Sequence, residues 1–231
     1  MRALTIKEVI KSTNGEYLGN QFNKQITGIS TDSRTINKGD LFVPLTGPNF
    51  DGHDFIKRAF EKGAVATLCG KDKRSKVDNL PIKDIIFVDN PQSALLSLAA
   101  YYRRLFDIPF VAITGSVGKT TTKEMTAEIL KMRFKVLKTL GNLNNEIGLP
   151  LTIFKLEEGY QVGVVELGMS ALGEISRMAS IVRPKIAVIT NIGTAHIEKL
   201  GSKQNIARAK MEILEPLGEN DLAVLNGDCQ E

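Results

Sequence analysis

"ITGSVGKTTTKE" (113–124) is the stretch on which the reading of this chain turns. It nearly spells the phosphate-binding loop G-x-x-x-x-G-K-[ST]. Gly118, Lys119 and Thr120 fit the end of the pattern. The first glycine would fall at 113, where the chain carries Ile113, and Gly115 stands two residues later. The flanks favour a loop all the same. "PFVAIT" (109–114) is a short apolar, β-branched run, which predicts a buried strand, and helical sequence follows from Thr120 to Met132. A strand-to-helix turn of this kind aims successive backbone N–H groups at an anion: here those of Gly115, Ser116, Val117, Gly118, Lys119, Thr120 and Thr121. Lys119 would reach the outer phosphates of a nucleotide and the Thr120 hydroxyl a Mg²⁺. The bland alternative is a glycine turn capped by a threonine.

From this loop onward the rhythm is regular. Strands are predicted at 109–114, 134–139, 161–167, 185–191 and 221–226. Helices are predicted at 120–132, near 147–154, at 172–182 and as one long element over 202–217. Alternation of this kind means right-handed crossovers and a parallel sheet. Before residue 108 the order is looser, with strands at 26–31, 40–45, 64–68 and 84–88 and helices at 5–12, 53–62 and 91–106. The fold class is therefore α/β: a small N-terminal α/β domain over 1–107, and a parallel-sheet, phosphate-loop domain over 108–231. The sequence stops at "NGDCQE", directly after a strand of an open sheet, which reads as an incomplete central domain within a longer protein.

Ligands of open parallel sheets bind beyond the carboxyl ends of the strands. Each predicted strand of the second half delivers polar groups there. The loop follows the first. Asn142, Asn144, Asn145 and Glu146 follow the second, Glu166 ends the third, Asn191 and His196 follow the fourth, and Asn226 and Asp228 follow the fifth. A carboxylate ending an apolar strand is costly without a partner, so Glu166 is a natural Mg²⁺ ligand beside such a loop. His196 fits either a ligand or a structural residue, and His53 in "DGHDF" reads as part of a capping turn. Lys210 falls in the middle of the apolar arc of the 206–217 wheel, beside Ile206, Ile213 and Leu214. Either its stem is buried and its ammonium snorkels to water, or a desolvated amine of lowered pKa is aimed into the site.

Bulk properties limit the function classes. The chain has 231 residues, 42% hydrophobic and 24% charged, with a formal net charge of +4. No apolar run approaches the ~18 residues of a membrane span, and the N-terminus lacks a signal-peptide pattern, so the expected location is cytoplasmic. Cys69 and Cys229 are too few and too far apart for a disulfide framework or a zinc site. The basic segment "GKDKRSKVDN" (70–79) is interrupted by acids and has no aromatics. It reads as a solvated loop rather than a nucleic-acid patch.

Five segments together, "TGSVGKTTTKE", "GNLNNEIGLPLT", "ELGMSALGEI", "NIGTAHIEKLGS" and "ARAKMEI", resemble the Mur ligase family of cell-wall peptidoglycan synthesis. "STDSRTINKGDLFVPLTGPNFDGHDFI" resembles that family's UDP-substrate domain. The likeness is strongest to the branch that joins D-alanyl-D-alanine to UDP-N-acetylmuramoyl-tripeptide. It implies ATP-driven amide formation through an acyl phosphate, with Mg²⁺. By residue match it implies Lys119, His196 and Lys210 as catalytic, Asn144 and Asn145 near the nucleotide, and Ser33 and Arg34 near the UDP-sugar. It further implies Thr120 and Glu166 on one Mg²⁺, with His196 and a carbamylated Lys210 on a second. The family's C-terminal domain has no counterpart here, so this chain by itself is expected not to be a competent ligase. Two rivals remain: an amide ligase on the same scaffold resembling folylpolyglutamate synthetase, and a non-catalytic module that binds nucleotide or UDP-substrate.

Overall fold

The computed structural model describes residues 1–81 and 83–229, and the chain divides into two compact units, Met1–Tyr101 and Tyr102–Glu231. The division falls inside a helix, α3, rather than in the "FDIP" stretch where the sequence changes rhythm.

The first unit runs β1 (Leu4–Thr5), α1 (Ile6–Thr13), β2 (Glu16–Leu18), β3 (Gln25–Ile26), β4 (Gly28–Ser30), β5 (Asp40–Phe42), β6 (Thr46–Gly47) and β7 (Phe50–Asp51). A 3-10 turn (Gly52–Phe55), α2 (Ile56–Glu61), β8 (Ala66–Gly70), β9 (Ile85–Val88) and α3 (Pro91–Arg103) follow. Its main sheet has the order β2-β9-β8-β5-β4, parallel except for β2. Ile36, Phe42, Ile56, Ala59, Cys69, Ile85 and Phe87 form its core. α1 starts where Thr5 and Glu8 make a reciprocal capping box. The segment 70–79, read as loop, carries a surface 3-10 run over Lys71–Lys76.

The second unit is the predicted parallel sheet. It contains β10 (Phe110–Thr114), α4 (Lys119–Lys131), β11 (Val136–Lys138), α5 (Gly148–Ile153), β12 (Val162–Glu166), α6 (Glu174–Val182), β13 (Ile186–Ile189), α7 (Ile197–Leu200), α8 (Lys203–Met211) and β14 (Leu222–Leu225). The order β11-β12-β10-β13-β14 is parallel throughout and puts β10 at the centre. Val111, Ile113, Ala127 and Val164 pack α4 onto one face. Register places Ile113 beside both Glu166 and Val188, so the loop after β10 opens next to the ends of β12 and β13.

Three expected elements are corrected. The strand drawn over 26–31 is two short strands, β3 and β4, and the helix drawn over 53–62 opens with the 3-10 turn Gly52–Phe55 before α2. The helix drawn over 202–217 ends at Met211, and Glu212–Leu214 is a 3-10 turn. Glu212 opens that turn. Its carboxylate is 9% exposed and accepts the N–H groups of Gly173 (2.7 Å) and Ser176 (3.0 Å), capping α6. An acid at a helix N-terminus can be buried because the free N–H groups and the helix dipole compensate it.

Candidate active site

The loop after β10 is built by its neighbour β13. Asn191 Oδ1 accepts the N–H of both Ser116 and Val117, at 3.0 Å each, and the Asn191 carbonyl accepts from Ser116 N at 3.1 Å. The Thr190 hydroxyl donates to the Val117 carbonyl (2.6 Å), and Ser116 Oγ accepts from Gly193 N (2.8 Å). This explains the displaced glycine. At Gly115 φ is +150°, and a Cβ there would lie 1.9 Å from Thr190 Oγ1. Glycine is needed at 115 because β13 approaches there. Gly118, at φ +81°, makes the left-handed turn that opens α4.

Lys119 folds back over the loop, donating to the Gly115 carbonyl at 2.9 Å and the Ser116 carbonyl at 3.3 Å. These are neutral acceptors that an anion outcompetes. Thr120 faces β12, and its hydroxyl donates to Glu166 Oε2 at 2.8 Å. Glu166 is 2% exposed; its other oxygen accepts from Asn144 Nδ2 at 2.8 Å, and its backbone N–H is held by Thr139 Oγ1 at 3.1 Å. Thr114, fully buried at the foot of the loop, has a hydroxyl with no hydrogen-bond partner among the described residues. Leaving such a group unpaired costs about 1–3 kcal/mol.

Lys210 is 2% exposed on α8, which favours the buried reading of the wheel over snorkelling. Burial pushes its ammonium down to about 8, and the positive charge of Lys119 acts in the same direction. Among the described residues no carboxylate pairs with it. His196 is exposed and holds φ +67° just before α7, and among the described residues no hydrogen bond joins its side chain to Glu166, Thr120 or Lys210. Asn145 is engaged locally: its Oδ1 accepts from Ile147 N (3.1 Å) and Gly148 N (2.8 Å) at the start of α5. Of the two asparagines, Asn144 therefore touches the site's carboxylate. Asn226 donates to the Thr190 carbonyl at 3.1 Å, and Thr121 is exposed on the first turn of α4.

The donor set suits Mg²⁺ in part. Thr120 and Glu166 supply hard oxygens at one point, and Mg²⁺ usually keeps several waters. Among the described residues no group of three or more His, Cys, Asp or Glu converges as a metal site. Sequence reasoning missed Thr190, Thr139 and Glu212. A threonine at a strand end and an acid on a helix carry no signal of the backbone groups they will meet.

In the first unit, Ser33 and Arg34 line a cleft of about 390 Å³ together with Phe50, Phe55 and Arg58. Asp32 holds the Arg34 guanidinium through Nε (3.0 Å) and Nη2 (2.7 Å), and Arg34 in turn holds the Asp32 carboxyl down at about 2. His53 is buried. Its Nδ1 bonds Asp51 at 2.6 Å and its Nε2 accepts from Gly70 N at 3.0 Å, tying the turn after β7 to β8.

Residues 113–231 match the Mur ligase middle domain, and residues 25–103 match the Mur ligase family, catalytic domain. The chain belongs to the Mur ligase family. Similar curated Mur ligases include the UDP-N-acetylmuramoyl-tripeptide--D-alanyl-D-alanine ligase of Bacillus subtilis, 40% identical over 97% of this chain and 49% of that one. The enzyme of the same name from Escherichia coli is 39% identical over 99% and 49%. Among solved structures, MurF from Acinetobacter baumannii superposes with a TM-score of 0.89 at 34% identity, covering 100% of this chain and 50% of that one. MurF ligase from Thermotoga maritima, in complex with ADP, gives 0.79 at 37% identity over 87% and 45%. The chain spans about half the length of the curated Mur ligases it matches.

Proposed function

We propose that the protein is an ATP-dependent amide ligase of peptidoglycan precursor synthesis. It would join D-alanyl-D-alanine to UDP-N-acetylmuramoyl-tripeptide in the cytoplasm. The observation that carries the reading is a phosphate loop clamped by Asn191, next to a buried carboxylate, Glu166, that is already bonded to the loop's Thr120. The names of the relatives, and ADP in the complex of one of them, support the substrate and nucleotide assignments. No helix among the described residues is long and apolar enough to cross a membrane.

In this reading the loop N–H groups and the start of α4 bind the nucleotide phosphates, and Lys119 leaves the Gly115 and Ser116 carbonyls to pair with them. Thr120 and Glu166 would hold Mg²⁺, which neutralises charge developing on the phosphate oxygens. The tripeptide carboxylate attacks the γ-phosphorus and ADP departs. The amine of D-alanyl-D-alanine then attacks the acyl carbon, loses a proton and displaces phosphate. Catalysis here is mainly positioning and charge neutralisation. The neutral amine of Lys210, made accessible by burial, suits attack on CO₂ to give a carbamate and a proton, adding a carboxylate-like ligand for a second cation. His196 is assigned to that cation as well. Ser33 and Arg34 are assigned to the UDP end of the substrate.

This chain by itself is expected not to turn over, so phosphate release is measured on a protein that also carries the C-terminal domain of the family, and it tests the proposal. It is expected to require ATP, UDP-N-acetylmuramoyl-tripeptide and D-alanyl-D-alanine together. Release driven by a folate and glutamate would favour the rival ligase. Binding of nucleotide and UDP-substrate without release would favour a binding module.

A further inference from the structure

The edge of the second sheet opposite the phosphate loop carries a cavity of about 610 Å³ that the reaction does not use. Ile108 and Pro109 precede β10 there, Lys185 precedes β13 and Asp221 precedes β14, so β10 separates it from the loop by about 17 Å. Arg103 forms its fixed wall. This residue is 8% exposed, its guanidinium lies 4.3 Å over the Phe110 ring, and it donates to the carbonyls of Val182 (3.1 Å), Phe106 (2.7 Å) and Ile108 (2.8 Å). A guanidinium carries five N–H donors, so those three bonds leave two at the cavity wall.

Arg104 and Arg183 also line the cavity. Among the described residues, no hydrogen bond or ion pair engages either guanidinium. Lys185, by contrast, is neutralised by Asp221 at 2.9 Å. Three arginines therefore face one remaining acid, Asp107. Arg183 reaches its place at the cost of a left-handed backbone, φ +50°, at the end of α6 where glycine is the usual residue. Burial, and the charge of Arg183 beside it, push the Arg103 guanidinium down to about 10, with Asp107 opposing.

We propose that this cavity is a second anion site, taking the phosphate or pyrophosphate group of a small molecule. Guanidinium forks from the end of α3 and the end of α6 suit bidentate contacts to a tetrahedral oxyanion carrying more than one charge. The volume leaves room for the rest of a phosphoester.

The test uses inorganic pyrophosphate as the probe and the Lys119→Ala protein as the background, so that the loop contributes least. Calorimetry is expected to show saturable binding in Lys119→Ala, weakened on the order of tenfold or more by adding Arg183→Gly or Arg104→Gln. Arg183→Gly relieves the backbone strain while removing the charge, so its melting temperature is expected to rise, and a loss of binding then reports the guanidinium rather than misfolding. No saturable binding in Lys119→Ala, or binding untouched by both arginine substitutions, overturns the proposal.

Discussion

The Thr120 hydroxyl donates to Glu166 at 2.8 Å, joining the first turn of the loop helix to the end of the adjacent strand. The contact brings the loop's alcohol and the sheet's buried carboxylate to one point, where a cation between them would meet two hard oxygens. Glu166→Gln keeps the shape but sets an amide NH₂ against donors from Thr120 or Asn144. It is expected to cost about 1–3 kcal/mol of stability. It is also expected to abolish the difference between ADP affinities measured with Mg²⁺ and with chelator. A Mg²⁺ dependence equal to that of the unaltered protein would remove Glu166 from the metal site.

Asn191 separates loop architecture from loop charge. Asn191→Ala removes the acceptor of two loop N–H groups, although Ser116 N keeps the backbone carbonyl of residue 191. A loss of about 1–2 kcal/mol in chemical denaturation is expected, with weaker nucleotide binding. Asn191→Asp restores both acceptors and adds a negative charge beside the phosphates. Its stability is expected to recover while its nucleotide affinity stays low. Recovery of both would mean that the loop field contributes little.

Lys210 gives a pH signature. Its folded pKa is lowered to about 8 from the ordinary 10.5, so the unfolded chain binds more protons between those values. The penalty for burying the charge is complete below pH 8 and is relieved as pH rises from 8 to 10.5. Stability is therefore expected to gain on the order of 1–3 kcal/mol across that window from this group. Lys210→Met is expected to be the more stable protein at pH 7 and to lose that slope. Denaturation at pH 7 and pH 10 compares them. Parallel pH profiles would show that the amine is solvated.

Arg34→Ala addresses the first unit. The Arg34–Asp32 pair is solvent-facing, so only a slight loss of stability at neutral pH is expected. The Asp32 carboxyl is expected to climb from about 2 toward the ordinary range, visible by NMR titration. UDP affinity is expected to fall. Unchanged affinity would place the UDP contact elsewhere than this cleft.

What the sequence disclosed follows from how local each signal is. Apolar, β-branched runs located β10, β12, β13 and β14 to within two residues at each end; β10 and β12 are buried throughout, as strands inside a parallel sheet are, whereas the edge strand β14 is apolar but exposed. The loop was legible from Gly118, Lys119 and Thr120, and Lys210 from its place on an apolar arc, where it is indeed buried. Features requiring two distant segments were not legible. These are the Thr190 contact that makes Gly115 obligatory and the Glu212 cap on α6. The β6–β7 hairpin is local, but its two-residue strands have no periodicity to read. His196 and Asn145 both follow strand ends where ligands gather; His196 is exposed, and Asn145 accepts from the first N–H group of α5.

The most direct test of the central claim is a calorimetric titration of ADP with Mg²⁺ into the protein and into Lys119→Ala. Lys119 touches only loop carbonyls, so its removal is expected to leave the melting temperature unchanged. The unaltered protein is expected to bind tightly and in a Mg²⁺-dependent way, and Lys119→Ala to lose that binding, keeping at most a weaker, Mg²⁺-independent contact at the arginine cavity. Equal affinities in the two proteins would contradict the phosphate-loop reading and, with it, the ligase proposal.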